Sequence, residues 1–294
     1  MGRILITGRN GQVGWELQRT LATLGEVIVF DRGQMDLAQP DSIRRILREI
    51  KPNLIVNAAA YTAVDQAESE PELAMAINGV APGVMAEEAK RLDAPLIHYS
   101  TDYVFDGTKE GAYTEEDEPN PINVYGKTKL AGERAIQQVG SQHLIFRTSC
   151  VYGARGKNFL LTILRLAKNR EELRMVADQI GAPTWSRMIA EATAQVLAKR
   201  LFPAEEGRSE GITNIYHMTA ANFTSWHGFA SLIMETLKRQ GKVGSIRAMA
   251  VVPIATEAYP LPAKRPKNSR LSTAKFTKQF GLVMPSWDAG TRLC

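Results

Sequence analysis

The sequence predicts an α/β chain built on a doubly wound parallel sheet, with a smaller, discontinuous second region. Three observations carry this reading. Short apolar strands alternate with amphipathic helices through the first half of the chain. A glycine-rich turn stands between the first strand and the first helix. Polar residues stand where strands end, the edge at which such sheets bind ligands.

The elements follow in order. Arg3 to Thr7 is a short apolar strand, and Val13, Leu17, Leu21 and Leu24 then fall on one helical face. Val27 to Asp31 is a second strand. Ile43, Ile46, Leu47 and Ile50 mark an amphipathic helix with Pro40 in its first turn. Leu54 to Ala60 reads as the third strand, Glu72 to Arg91 as one long helix, and Leu96 to Phe105 as the fourth strand. A helix is expected from about Val124 to Val139, and His143 to Val151 is rich in branched and aromatic residues, as strands are. Further on, Phe159 to Asn169, Met188 to Leu201 and Phe223 to Gln240 read as helices. Ile215 to Thr219 is a late strand of the same sheet, and Ile246 to Ile254 is extended. Residues 203–211 form a polar loop, and the proline-rich stretch from Pro260 to Pro266 is a loop. The sheet domain is expected over 1–154 plus about 186–219, and the second region over about 155–185 plus 220–294.

Bulk properties narrow the function classes. The chain has 294 residues, 44% hydrophobic and 23% charged, which is ordinary for a soluble globular protein. No apolar run approaches a membrane span, and strand and glycine turn follow Met1 too closely for a signal peptide. Cys150 and Cys294 give neither a disulfide framework nor metal-ligand spacing, so a cytoplasmic enzyme with free thiols is expected. The net charge of +5 is spread through helices, without a nucleic-acid motif. Its densest cluster, Lys264, Arg265, Lys267 and Arg270, suits either a solvated loop or a phosphorylated small molecule.

Gly8-Arg9-Asn10-Gly11-Gln12-Val13-Gly14 is a GxxGxxG turn. Its glycines allow close backbone approach to a pyrophosphate, and the following helix supplies free N–H groups and a positive dipole. Strand, turn, helix and then an acid after the second strand together point to a nicotinamide dinucleotide. Asp31 suits a ribose 2′-hydroxyl, and so NAD; Arg32 beside it suits a 2′-phosphate, and so NADP. Both signals are present, so NADPH is expected with NADH use left open. Asp36 and Leu37 fall where the adenine would lie.

Tyr125 and Lys129 stand four residues apart, one turn apart on one helix face. A nearby ammonium stabilises phenolate, so this pair can exchange a proton with a carbonyl or hydroxyl oxygen while hydride moves. Thr101, at the end of the fourth strand, can add a hydrogen bond to the same oxygen. With the glycine turn upstream, the Tyr–Lys spacing resembles the extended short-chain dehydrogenase/reductases.

Longer strings resemble one branch of that superfamily, the dTDP-4-dehydrorhamnose reductases. They include Tyr99-Ser100-Thr101-Asp102-Tyr103-Val104-Phe105, Asp178-Gln179-Ile180-Gly181-Ala182-Pro183-Thr184 and Arg265-Pro266-Lys267-Asn268-Ser269-Arg270-Leu271. The resemblance implies NADPH-dependent reduction of a 4-keto nucleotide sugar, with Tyr125 as proton donor and Lys129 tuning it and holding the nicotinamide ribose. It places Ala58, Ala59, Ala60 and Tyr99 against the cofactor, and Thr101, Asp102, Tyr125 and Cys150 at the sugar. Asn158, Gln179 and Arg265 are implied at the thymidine and diphosphate.

Three departures stand out. Cys150 occupies a position where that branch often has tryptophan, so a stacking contact is lost. Glu16 matches one glutamate through which some members bind magnesium, but Arg187 stands at the expected second position, which argues against a magnesium-bridged dimer. A monomer or homodimer is expected. The chain stops soon after Trp287, where members usually continue into a final helix, which suggests a truncated end. The alternatives are another nucleotide-sugar reductase or epimerase, and a non-catalytic regulatory subunit of the same fold, which need not keep the Tyr–Lys pair.

Overall fold

The computed structural model describes residues 2–201, 213–241, 246–248 and 250–294. The polar loop expected over 203–211 lies outside the described residues. In chain order the first half runs β1 (Arg3–Thr7), α1 (Gln12–Thr20), β2 (Glu26–Phe30), α2 (Pro40–Ile50) and β3 (Leu54–Asn57). Next come α3 (Val64–Ala67), α4 (Pro71–Met75), α5 (Ala81–Arg91), β4 (Leu96–Thr101), α6 (Val124–Val139) and β5 (His143–Thr148). The second half continues with β6 (Val151–Tyr152), α7 (Phe159–Asn169), β7 (Glu172–Val176), β8 (Ile180–Gly181), β9 (Thr184–Trp185) and α8 (Ser186–Leu201). It ends with β10 (Thr213–His217), β11 (Thr224–Ser225), α9 (Trp226–Arg239), β12 (Ala250–Ile254), α10 (Ala274–Phe280) and α11 (Trp287–Leu293).

Six strands form one parallel sheet in the order β2-β1-β3-β4-β5-β10. From β1 the chain moves outward to β2, then returns to build β3 on the other side. That reversal opens a crevice at the carboxyl ends of β1 and β3, where ligands of doubly wound sheets bind.

Alternation along β1 covers both faces. Ile4 and Ile6 join Leu17, Leu21, Phe146, Ile189 and Val196 in one buried cluster. Leu5 points the other way, toward Ile43, Leu47, Ile55, Met85 and Ile136. Leu160, Ile163, Leu173, Phe229 and Ile233 form a third cluster, between α7, α9 and β7.

Four expected elements end or break differently. The helix expected over 72–91 is interrupted by a π turn over Ala76–Val80. Pro82 supplies no N–H to the Asn78 carbonyl, and α6 packs on that freed oxygen through Gly132, where a Cβ would lie 2.2 Å from it. The third strand stops at Asn57, before the three alanines. The fourth stops at Thr101, whose side chain accepts from Tyr103 N and starts a 3₁₀ turn. The fifth stops at Thr148; Cys150 has φ 45°, and this left-handed residue breaks the strand before β6 pairs with β9.

Inside the sheet–α6 interface, Arg147 of β5 donates to Glu133 of α6 at 3.0 Å and 2.6 Å, both side chains almost wholly buried. The Arg147 guanidinium also lies 5.1 Å from the centre of the Phe105 ring. Removing one member leaves an uncompensated buried charge. Glu133→Ala should lower unfolding free energy by about 3–5 kcal/mol, read from a denaturant midpoint. Replacing both with apolar residues of similar volume should lose less.

Candidate active site

The crevice begins at the glycine turn. Gly8 has φ +79°, and a Cβ there would sit 3.0 Å from the Ala58 and Ala59 backbone. A Cβ on Gly14 would fall 2.2 Å from the Gly8 carbonyl oxygen. The turn therefore closes on itself and on the chain leaving β3. Gly11 is the N-cap of α1 and has no side-chain cap, so the first N–H groups of α1 remain for an anion. These features fit the pyrophosphate of a dinucleotide. The Val13 side chain packs against the core, so its backbone is what it offers the turn.

Past β2, Asp31 Oδ1 accepts from Gly33 N and Gln34 N, which fixes the turn carrying exposed Arg32. Asp36 Oδ1 likewise accepts from Ala38 N, and the Leu37 side chain is buried in the core. Tyr99 sends its ring away from the crevice, beside Phe146, with its hydroxyl 2.8 Å from Thr193 Oγ1. Its carbonyl alone meets the site, as the acceptor for Lys129.

Asn123 N-caps α6 by accepting from Gly126 N. A Cβ on Gly126 would lie 2.1 Å from the Tyr103 carbonyl oxygen, so this glycine lets α6 close on the end of β4. Tyr125 thereby reaches Thr101, to which its hydroxyl hydrogen-bonds. Lys129 is 1% exposed; its Nζ donates to Tyr99 O at 2.6 Å and lies 3.2 Å from His98 Nε2. Burial brings the Lys129 amine down to about 8, with Glu133 acting in the opposite direction.

Burial raises the Tyr125 phenol to about 12, against the smaller effect of Thr101. Lys129 Nζ is directed at Tyr99 O and His98. At neutral pH Tyr125 is therefore a protonated acid. Thr101 Oγ1 donates to Asp102 Oδ1 at 2.8 Å, so its proton faces the carboxylate and its lone pairs are what it presents elsewhere. Ser149 Oγ donates to Asp102 Oδ2 at 2.7 Å. Burial raises the Asp102 carboxyl to about 6, although Ser149 and Thr101 favour its ionised form.

Tyr125, Thr101, Asp102 and Ser149 line a cavity of about 310 Å³ with Gln12, Cys150, Gln179 and Trp226. A second cavity of about 510 Å³ shares Gln179 and Trp226 and is lined by Arg165, Arg170, Arg174, Tyr259 and Arg265. Trp226 Nε1 donates to Gln179 Oε1 at 3.1 Å. Arg265 forms a two-point pair with Asp65, at 2.9 Å and 2.7 Å. Asn158 lines neither cavity. It caps α7 and donates to Gln12 Oε1 at 2.9 Å, so it braces the side chain of the glycine turn. Arg165, Arg174, Trp226 and Tyr259 were not legible as site residues, because α7, β7, α9 and the later loop meet only in three dimensions.

Arg187 pairs with Glu191 at 2.8 Å. Among the described residues no group of three or more His, Cys, Asp or Glu is placed to hold a metal, and no helix is long and apolar enough to cross a membrane.

A family model described as the RmlD substrate binding domain matches residues 2–294. The dTDP-4-dehydrorhamnose reductase of Burkholderia thailandensis is 50% identical over 292 residues, 99% of this chain and 97% of that protein. Its Escherichia coli counterpart is 46% identical over 98% of this chain and 95% of that protein. A crystal structure of the Bacillus anthracis enzyme in complex with NADP superposes with TM-score 0.88 at 34% identity, covering 99% and 98% of the two chains. The UDP-glucose 4-epimerase of Thermus thermophilus shares the fold, with TM-score 0.78 at 21% identity over 99% and 97%. The chain belongs to the dTDP-4-dehydrorhamnose reductase family.

Proposed function

We propose that this chain is a cytoplasmic NADPH-dependent reductase that converts the C4 keto group of dTDP-4-dehydro-β-L-rhamnose to the hydroxyl of dTDP-β-L-rhamnose. The observation that carries this is that Tyr125, Thr101 and Asp102 line a sugar-sized cavity which shares Gln179 and Trp226 with an arginine-rich, aromatic one. The first cavity suits the hexose ring. The second suits a thymidine diphosphate, with Arg165, Arg174 and Arg265 near the phosphates and Trp226 or Tyr259 beside the base. Gln179 stands where the two meet.

NADPH, when bound, supplies the hydride. Gly8, Gly11 and Gly14 with the first N–H groups of α1 hold its pyrophosphate, and Arg32 faces the 2′-phosphate. Ala58, Ala59 and Ala60 pass beside the glycine turn and line the same crevice. Lys129 orients the nicotinamide ribose while Tyr99 O anchors its amine. Tyr125 gives its phenolic proton to the developing alkoxide at C4. Thr101, held by Asp102, lies in hydrogen-bond contact with the Tyr125 oxygen and positions it. Cys150 provides a small wall at the sugar; burial first, then Asp102, keeps its thiol protonated.

The decisive assay follows NADPH oxidation against a panel of nucleotide 4-keto sugars. Turnover is expected with the dTDP-linked substrate, and equal turnover of GDP- or UDP-linked keto sugars would defeat the assignment. Tyr125→Phe should lose about 10²–10⁴ in turnover while still binding NADPH; an unchanged rate would remove Tyr125 as donor. Asp102→Asn should lower turnover yet raise stability at pH 7. The folded carboxyl sits near 6 and the unfolded one near 3.8, so its burial penalty is nearly absent below pH 4, builds between pH 4 and 6, and is complete above 6. The variant should therefore gain up to about 3 kcal/mol at pH 7 and almost nothing at pH 3.5, read by denaturation at both pH values.

A further inference from the structure

Thr7, Asn57 and His98 occupy one register row across three adjacent strands, β1, β3 and β4. All three are at most 2% exposed, as is Lys129. Thr7 Oγ1 accepts from Ala59 N at 3.2 Å and donates to Asn57 Oδ1 at 2.7 Å. That hydroxyl proton needs an acceptor, and Asn57 Oδ1 is the one it meets. The amide is thereby oriented with Nδ2 toward His98 Nδ1, 3.1 Å away. An amide nitrogen only donates, so Nδ1 is the bare, accepting nitrogen of the ring. A neutral imidazole with a bare Nδ1 carries its proton on Nε2. Nε2 is the atom 3.2 Å from Lys129 Nζ.

We propose that the Thr7–Asn57–His98 row locks His98 as the Nε2–H tautomer and so presents a donor, not an acceptor, to Lys129. An N–H aimed at an ammonium is repelled; aimed at an amine it meets a lone pair. The row therefore favours the neutral amine, and Lys129 changes charge within the working pH range rather than remaining a fixed cation. The other groups around it act consistently. Tyr99 O accepts one Lys129 proton in either state. Glu133, one turn along α6, favours the ammonium but is held by Arg147. Burial first, then Lys129 and His143, keep His98 well below its usual range and so uncharged. His143 Nδ1 lies 2.7 Å from Ser141 O. His98 is a positioning residue, and the row begins at Ala59, beside the glycine turn.

This inference rests on the reading of Tyr125 and Lys129 as the reacting pair, but its first test is independent of turnover. The chain has four histidines. Full-length protein labelled with ¹⁵N-histidine, with and without NADP, gives each tautomer directly, and a His98→Asn variant assigns the His98 signals. Nε2–H is expected for His98; an Nδ1–H ring or an imidazolium would overturn the proposal. Thr7→Val removes the hydroxyl with little change of shape, and Thr7→Ser retains it. In Thr7→Val the ring should populate Nδ1–H, and the basic limb of the kcat–pH profile should rise by about one pH unit. Thr7→Ser should match the parent in both. A Thr7→Val ring still in the Nε2–H form, or an unmoved basic limb, would also overturn it. If Thr7→Val does not fold, the parent spectrum alone decides. Failure of the keto-sugar assay with an Nε2–H spectrum would overturn the substrate, not the row.

Discussion

An amine buried to 1% exposure between α6 and β4 governs how this molecule is built. Such a group is tolerated only where its donors meet acceptors, and the Tyr99 carbonyl is the nearest one. The helix must therefore approach the sheet at a fixed, short distance. Two glycines make that approach possible. Gly126 admits the Tyr103 carbonyl and Gly132 admits the Asn78 carbonyl, each at a spacing no Cβ would allow. Asn78 lies in the π turn, where its side chain also accepts from Tyr61 N and donates to Tyr61 O and Thr128 Oγ1. The irregular helix on one side of α6 and the reactive pair on the other are thus consequences of one packing requirement.

The same helix presents Tyr125, Lys129 and Glu133 to the sheet at intervals of four. Each meets a different part of the strand ends. Tyr125 reaches Thr101, Lys129 reaches the row ending in His98, and Glu133 pairs with Arg147. Arg147 itself stands in register between Ser100 and His217. Beneath the cavity the parallel sheet is thus not apolar on this face but carries two polar rows. Burial strengthens each interaction in those rows and raises the penalty of a wrong proton position. That is why the chemistry of Lys129 depends on a threonine two strands from His98.

Local pattern carried much of this. The bounds of α6 and α7 were legible to the residue, because Asn123 and Asn158 supply N-caps ahead of helix-period apolar residues. Three strands read too long for a common reason: apolar residues continue past the last ladder bond. Val104 and Phe105 leave β4 to join a small cluster with Tyr113 and Leu271, and Ala58 packs under the glycine turn. The π turn gave no periodic signal, since one extra residue shifts the face without changing composition; Pro82 was the single hint. The glycine turn, Tyr125, Lys129, Thr101 and Asp102 were legible because each motif is contiguous. The Thr7–Asn57–His98 row was not, since it exists only through strand register. Asn158, expected at the nucleotide, caps α7, and a polar residue before a helix satisfies either role in sequence.

The division of the ligand site into two cavities follows from where the apolar clusters stop. The sheet and its helices bury one set of side chains, and α7, α9 and β7 bury another around Phe229. Between them run segments that pair only briefly: β6 with β9, and β8 with β11. Two-residue ladders cannot fill the gap with side chains, so space remains on both sides of Gln179. Its amide is held from two directions, by Trp226 Nε1 and by Thr256 Oγ1, which accepts at 3.1 Å. A side chain fixed at both ends thus borders both cavities. The carboxylate lies on one side and the arginines on the other, so a ligand with a neutral head and an anionic tail would be oriented by charge along the two cavities.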